Sequence, residues 1–190
     1  NPPFVPPERQ DKDLRRALQK RFPWMVGRFD LAVPFAATAL EQVRPGGSLA
    51  LVIPWGLLTQ PYATPLRRGW LSGNAITALE GPIRFPGATV DVALIAISRT
   101  TPARLPNGVD PAELLQLGSC PLDPSIAAGD VARIETIRAD SIELGDVAEI
   151  DTGVVSHGPG HGKRELIFDE PGEGRVPYVD AQDLIDGRVR

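Results

Sequence analysis

The chain of 190 residues is 42% hydrophobic and 23% charged, a composition typical of globular domains. Its single cysteine, Cys120, excludes a framework of intrachain disulfides and favours a reducing, cytoplasmic location, and its apolar runs fall short of the roughly 20 residues that a membrane-spanning helix needs. The net charge of -4 gives no overall support for nucleic-acid binding, although residues 1–21 carry six basic and three acidic side chains.

The chain opens with Asn1-Pro2-Pro3-Phe4, which combines an amide that donates and accepts hydrogen bonds, two prolines that fix the backbone and an aromatic ring. This set is suited to holding a flat base by its exocyclic amine. Because no initiator methionine and no strand precede the tetrapeptide, we expect the chain to be an internal stretch of a longer polypeptide.

A first helix is predicted over residues 11–20, where apolar residues recur at helical spacing. Arg15 and Arg16 on this helix are candidates to lie along a phosphate backbone. The alternative is an ordinary solvated helix face.

A second helix is predicted over residues 30–43, with Asp30 as its N-cap. It must end before residues 44–47 (Arg-Pro-Gly-Gly), because proline disfavours helical geometry in the preceding residue and the glycines permit a tight turn. Helical spacing places five residues near one face: Leu31, Phe35, Thr38, Ala39 and Gln42.

Residues 48–53 (SLALVI) form a continuous apolar run, which predicts a central strand buried on both faces as in parallel α/β sheets. Residues 54–56 (Pro-Trp-Gly) then open a loop at the sheet edge where ligands bind in open α/β folds. A helix is predicted over residues 63–71, with Arg67 and Arg68 pointing outward.

Two further strands are predicted over residues 74–80 and 89–98, joined by residues 81–88 (GPIRFPGA). Strands joined by so short a connection should pair antiparallel.

The motifs NPPF, DLAVPFAATALEQVRPGGSLALVIP and GPIRFPGATVDVALI, in this order, resemble the amino-group DNA methyltransferases. The resemblance is to the N6-adenine-specific, restriction-modification type, in which a target-recognition domain follows the catalytic domain. It runs from residue 1 to about residue 99 and continues less closely in LGDVAEIDTG and VPYVDAQDL. It implies an α/β fold, the C-terminal half of a Rossmann-like S-adenosylmethionine-dependent methyltransferase sheet that ends in an antiparallel strand pair, followed by the start of a mixed α+β target-recognition domain.

The domain organisation that we predict has three parts. Residues 1–100 form the C-terminal half of the catalytic domain, residues 101–143 a connector, and residues 144–190 the beginning of the recognition domain. Within the connector, residues 111–117 are predicted to form a short helix and residues 130–137 a strand.

The resemblance also implies roles for individual residues. The side-chain oxygen of Asn1 and the carbonyl oxygen of Pro2 would accept the two hydrogens of the amine of a flipped adenine, while Pro3 keeps the turn rigid and Phe4 stacks on the base. Phe85 matches an aromatic residue that packs against the same base. Without the resemblance, a phenylalanine beside proline and glycine in a loop is more often a lid over the core.

The cofactor implied is S-adenosylmethionine, and its binding residues are expected upstream of Asn1. The partners are then double-stranded DNA and the N-terminal half of the sheet, in the same polypeptide or a partner chain, with no membrane. If that half lies elsewhere, the strand at residues 48–53 should have an open edge, and the chain alone should be inactive.

Four residues around a glycine-rich loop near the C-terminus are candidates for contacts with DNA phosphates or base edges, with a flexible turn as the alternative: His157, His161, Lys163 and Arg164. Two histidines at this spacing, with no cysteine nearby, are weak evidence for a metal, and none is predicted. Cys120 is interpreted as a buried thiol rather than a nucleophile.

Two functions of different classes remain open. The favoured one is a DNA methyltransferase that acts on adenine N6 in restriction-modification or phage defence, with cytosine N4 as the related target. The alternative is a non-catalytic DNA-binding or assembly module derived from such an enzyme.

Overall fold

The computed structural model describes residues 1–148, 172–174, 184–185 and 188–189. The chain divides into two compact units, Asn1–Ser141 and Ile142–Arg190. The first unit combines helices with a three-stranded sheet, which confirms the α/β class. In the described part of the chain, no helix has the length and apolar character needed to cross a membrane.

The elements of the first unit lie close to the predicted ones, with one change of type. In chain order they are α1 (Lys12–Arg21), α2 (Ala32–Gln42), β1 (Ser48–Pro54), α3 (Gly56–Thr59), α4 (Thr64–Leu71), β2 (Ala75–Ile83), β3 (Val92–Ser98), α5 (Pro111–Gln116) and α6 (Asp130–Ala139), with short 3-10 turns at Pro7–Arg9 and Pro61–Ala63.

Helix α1 begins at a side-chain cap and ends beside α2. The Asp11 carboxylate accepts hydrogen bonds from the backbone N–H groups of Asp13 at 2.9 Å and Leu14 at 3.0 Å. At the other end, Arg21 donates to the carboxylate of Glu41 at 2.7 Å, and Glu41 lies in the last turn of α2. The C-terminal end of α1 therefore lies beside the end of α2.

Helix α2 starts as predicted but buries a different face. The Asp30 carboxylate accepts a hydrogen bond from the backbone N–H of Ala32 at 2.8 Å, in the capping role expected of it. The buried side chains, however, include Ala32, Val33 and Ala36, whereas Phe35 is 51% exposed. None of the five residues that helical spacing places near one face is buried, so a different face of α2, with small residues, packs on the core.

The turn at residues 44–47 needs both of its glycines. Gly46 has a φ of +77°, and a Cβ added at Gly47 would lie 2.9 Å from a methyl carbon of Val43. The N–H of Gly46 donates to the carbonyl of Arg99, and the N–H of Arg99 donates to the carbonyl of Gly47, both at 2.9 Å. The turn is therefore fixed to the end of β3.

The sheet has the order β1-β3-β2, and β3 is antiparallel to both neighbours. The predicted antiparallel pairing of β2 with β3 is confirmed. The strand at residues 48–53, predicted as a buried central strand, instead has a neighbour on one side only among the described residues. Its side chains Leu49, Leu51 and Val52 are only partly buried, because β3 takes the central position.

The core of the first unit lies between the sheet and the helices that pack on it. Trp70 on α4 and Phe29 before α2 are its largest apolar members. The stretch described above as a connector contributes to the same core through Leu105, Val109, Leu114, Leu117 and Leu122. Most of residues 101–143 therefore fold with the first unit.

Arg67 is buried rather than outward, so that prediction is wrong. The chain after α5 returns across α4 and presents its backbone carbonyl groups to the guanidinium. Arg67 donates hydrogen bonds to the carbonyl oxygens of Cys120 at 2.8 Å, Leu57 at 2.8 Å, Gln60 at 2.9 Å and Ser119 at 2.6 Å, and to the hydroxyl of Thr64 at 2.9 Å.

Residues 130–137 form part of helix α6, not the predicted strand. Val131, Ile134 and Ile137 recur every three residues, a spacing that favours a helix over the strict alternation of a half-buried strand. Ion pairs one turn apart, such as Arg133 with Asp130 at 3.6 Å, accompany the helical form. Only Val131 on this helix is buried.

The described part of the second unit contains one helical turn, α7 (Leu144–Val147), and a short antiparallel pair, β4 (Leu184–Ile185) with β5 (Arg188–Val189). The recognition-domain motif at residues 176–184 lies mostly outside the described residues.

Candidate functional site

The end of the sheet at which β1 finishes lies next to several of the residues that the sequence analysis singled out. The tight turn at residues 44–47 joins the end of α2 to the start of β1, so the start of α2 lies beside the end of β1. Tyr62, which follows β1, is near Asp30, which precedes α2. Burial raises the pKa of Tyr62, and the charge of Asp30 raises it further.

The loop between β2 and β3 reaches the same edge. Val92, the first residue of β3, pairs with Pro54 at the end of β1 and with Ile83 at the end of β2. The N–H of Trp55 donates to the carbonyl of Asp91 at 2.9 Å. We define the site edge as residues 1–5, 29–31, 55–62 and 84–91.

The four residues of the tetrapeptide differ in their exposure to solvent. Asn1 and Pro3 are exposed, whereas Pro2 is buried. Phe4 is partly buried and packs against the core. The amide that begins the motif is therefore open to a ligand, while the residue next to it is held in the fold.

Val5, which follows the tetrapeptide, is anchored by hydrogen bonds. Its carbonyl oxygen accepts from the N–H of Leu31 at 3.0 Å and from the side-chain amide of Gln10 at 2.8 Å. The same Gln10 nitrogen also donates to the carbonyl of Phe29 at 2.7 Å. The sequence contained no signal for this role of Gln10, because a single glutamine after a proline-rich stretch matches no motif.

Asp30 is a half-buried carboxylate at this edge. Burial raises its pKa, against the opposing effect of the backbone N–H groups of Ala32 and Val5. The N–H of Val5 therefore faces the carboxylate, while the carbonyl of Val5 faces Leu31 and Gln10. Sequence reasoning found Asp30 as a helix cap but not as a contact of the tetrapeptide segment.

Phe85 lies in a loop whose backbone is held in place. The ring is 51% exposed, so it does not form the lid over the core that was the alternative. The N–H of Ala88 donates to the carbonyl of Phe85 at 3.0 Å, and Arg84 forms a two-pronged ion pair with Asp91 at 2.6 and 2.9 Å. An accessible aromatic face on a fixed loop is available at the site edge.

Arg15 and Arg16 lie in the middle of α1, which begins next to Gln10 and ends beside Glu41. Arg16 is exposed and pairs with Asp13 at 3.3 Å, and Arg15 is partly buried. These positions are compatible with phosphate contacts and with a solvated helix face alike.

The other candidates separate into two groups. His157, His161, Lys163 and Arg164 lie outside the described residues. Cys120 is buried as predicted, and burial raises the pKa of its thiol, which disfavours the reactive thiolate. Across the described ranges, no three His, Cys, Asp or Glu side chains form a group that could hold a metal ion.

A groove of about 500 Å³ lies at the opposite edge of the sheet, where Glu41, Asn74 and Arg99 belong to its lining. It is formed by the end of α2 and the turns next to β2 and β3, so it is not part of the site edge.

No protein-family model matches this chain, and no curated protein matches it.

Proposed function

We propose that this chain is the base-binding half of a site-specific DNA methyltransferase that acts on the N6 amine of adenine in restriction-modification or phage defence. The observation that carries the proposal is the state of the NPPF segment. Asn1 is exposed, Pro2 is buried, and the carbonyl of Val5 is fixed by hydrogen bonds from Leu31 and Gln10.

The proposed role of the segment is to hold and polarise the amine of a base. Adenine must leave the duplex stack, which costs a few kcal/mol. The Asn1 side-chain oxygen and the Pro2 carbonyl then accept the two hydrogens of the amine, which favours tetrahedral geometry at nitrogen and frees its lone pair. Acceptors that are already in position make this effective.

Two aromatic residues would hold the flipped base. Phe4 keeps part of its ring accessible while it packs on the core, and Phe85 projects from the neighbouring loop of the same sheet edge. Stacking on an aromatic ring contributes about 1 to 3 kcal/mol per base. Pro3 limits the backbone between Asn1 and Phe4.

The sheet supports the half-domain interpretation. The order helix, strand, helix, strand, strand ends in an antiparallel pair, as the resemblance implies. On the other side, β1 has no neighbour among the described residues, and its backbone donors and acceptors there are available for pairing. We propose that the cofactor-binding half, in the same polypeptide or in a partner chain, pairs with this unpaired side of β1.

The described residues do not provide a site for S-adenosylmethionine, the proposed methyl donor. None of β1, β2 and β3 in the first unit is followed by a glycine-rich loop that leads into a helix. The cofactor is therefore assigned to the half that pairs along β1, and the isolated chain should bind a base without methylating it.

The proposed nucleic-acid contacts are distributed along the chain. Arg15 and Arg16 would approach phosphates from α1, and the start of the target-recognition domain is proposed for residues 144–190. The candidates His157, His161, Lys163 and Arg164 belong to that region and stay predictions.

The decisive test is Asn1→Ala in the complete enzyme, which contains both halves of the sheet. Methyl transfer from labelled S-adenosylmethionine to unmethylated DNA should fall at least about 100-fold, because an acceptor for the amine is lost. The affinity for DNA should stay within about threefold. The matched control is Asn107→Ala, whose side chain donates to the carbonyl of Ile126 at 2.7 Å and lies outside the site edge.

Two results would contradict the proposal. If Asn1→Ala methylates DNA as fast as the unaltered enzyme, Asn1 has no role in the reaction. If the complete protein binds DNA but neither binds S-adenosylmethionine nor methylates any base, the non-catalytic DNA-binding module is correct instead.

A further inference from the structure

We infer that Gln10 and Asp30 are positioning residues for the base-binding segment, a role that rests on the function proposed above. Gln10 donates to the carbonyl of Val5, the residue that follows the tetrapeptide, and Asp30 caps the start of α2, from which the N–H of Leu31 donates to the same carbonyl. Neither belongs to NPPF, and neither is expected to touch the base. They would affect the reaction indirectly, because they hold the backbone that carries Asn1.

Gln10 joins two separate segments with one nitrogen atom. Its side-chain amide donates to the carbonyl of Val5 at 2.8 Å and to the carbonyl of Phe29 at 2.7 Å. The orientation of the amide follows from these partners, because the reversed amide would place its oxygen against two carbonyl oxygens. Gln10 therefore fixes the distance between the end of the tetrapeptide segment and the segment that leads into α2.

Asp30 acts through the start of α2. Its carboxylate accepts the N–H of Ala32 at 2.8 Å, which fixes the first turn of this helix. The carbonyl of Val5 accepts the N–H of Leu31, in the same turn, at 3.0 Å. Because this carbonyl is bonded to both Leu31 and Gln10, Val5 cannot rotate without the loss of two hydrogen bonds.

The path from Val5 back to Asn1 is short and stiff. Pro2 and Pro3 have φ angles fixed by their rings, and Pro2 is buried. The Asn1 side chain makes no hydrogen bond to any described residue, so its place is set by the backbone. A change in the orientation of the Val5 backbone would therefore displace the Asn1 amide that is proposed to bind the base.

A further contact between these segments is weak by comparison. Arg28 forms an ion pair with Glu8, and both side chains are largely exposed, at 70% and 58%. Exposed pairs of this kind contribute little, because water screens them and the long side chains lose freedom. The orientation of Val5 is therefore assigned to Gln10 and Asp30.

The first variant is Gln10→Glu in the complete enzyme, which keeps the size of the side chain but turns an oxygen toward two carbonyl oxygens. We expect kcat for methyl transfer to fall about 10- to 100-fold, since a displacement of about 1 Å at a reacting group has this effect. The KM for DNA should change less than about threefold. The control is Gln116→Glu at the exposed end of α5, which should leave both constants unchanged.

The second pair of variants separates positioning from proton transfer. Asp30→Asn keeps an oxygen that accepts the N–H of Ala32, and asparagine is a good helix cap, so kcat should stay within about threefold. Asp30→Ala removes the acceptor and should lower kcat about 10-fold or more. A thermal unfolding curve for each variant shows that the protein remains folded at the assay temperature.

The outcomes separate this inference from the proposed function. If Asn1→Ala abolishes transfer while Gln10→Glu and Asp30→Ala retain full kcat, the positioning role is wrong and the proposed function stands. If Asp30→Asn is as inactive as Asp30→Ala, the carboxyl group acts chemically and the positioning role is wrong. If Asn1→Ala is fully active, the proposed function itself fails.

Discussion

Two side-chain anchors in the first unit fix irregular backbone by the same means but with different consequences. Arg67 is fully buried and donates to four backbone carbonyl oxygens and one hydroxyl, and it holds the segment around Cys120 against α3 and α4. Gln10 and Asp30 lie at a half-buried end of the sheet, where Gln10 joins Val5 to Phe29 and Asp30 caps the start of α2.

The difference lies in what each anchor leaves accessible. Burial around Arg67 lowers its pKa to about 10, so the guanidinium stays charged near pH 7, and its hydrogen bonds to the carbonyls of Cys120 and Leu57 are buried. The Val5 anchor leaves Asn1 in solvent. A deep anchor serves the stability of the fold, whereas an anchor beside an exposed polar group can serve a site.

The largest expected effect comes from Arg67→Met, which strands several buried carbonyl oxygens without a donor. The free energy of unfolding in urea should fall by about 3 to 5 kcal/mol. Arg68→Met is the matched control, because Arg68 donates only to the carbonyl of Leu117 at 3.2 Å, and it should cost about 1 kcal/mol or less. Equal losses for the two variants would show that burial of Arg67 does not set its importance.

An intermediate effect is expected from Phe85→Ala, and on binding rather than stability. Because the ring is 51% exposed, the free energy of unfolding should change by less than about 0.5 kcal/mol. The affinity of the complete enzyme for DNA with an unpaired target adenine should fall by about 1 to 3 kcal/mol. Val90→Ala in the same loop, 46% exposed, is the control, and an equal loss of affinity there would remove Phe85 from the site.

The smallest effect is a pH dependence that belongs to Asp30. Burial raises the pKa of this carboxyl in the folded chain, so the folded state binds more protons than the unfolded state between the two pKa values. The free energy of unfolding should therefore fall as pH rises from the ordinary carboxyl value through the raised one. Asp30→Asn should flatten this part of the profile, and an unchanged profile would show that Asp30 does not contribute to it.

Local patterns in the sequence were enough for most elements of the first unit. The predicted helices at residues 11–20 and 63–71, the strand at residues 48–53 and the antiparallel pair that follows all occur. Each depends on spacing or turn chemistry within a few residues. The prediction for residues 130–137 failed because their apolar side chains recur every three residues, which is a helical spacing and not the alternation of a strand.

The candidate site was only partly contained in the sequence. The NPPF segment and Phe85 stand out by type and order, but the sequence did not reveal that Gln10 joins Val5 to Phe29 or that Leu31 binds the carbonyl of Val5. Such contacts connect residues with no fixed spacing. They depend on how α2 crosses β1 and on where the chain turns, which local propensity does not describe.

The sequence by itself determined most of the elements and the caps and turns between them, because these depend on short-range periodicity and backbone chemistry. It also supplied the residue types that are proposed to bind a base. Only the tertiary structure decided that β3 takes the centre of the sheet, that Phe35 faces outward, and that Arg67 is buried while Asn1 is exposed. The physical reason is that burial and hydrogen-bond partners are properties of the packed chain, in which distant segments compete for the same space and the same donors.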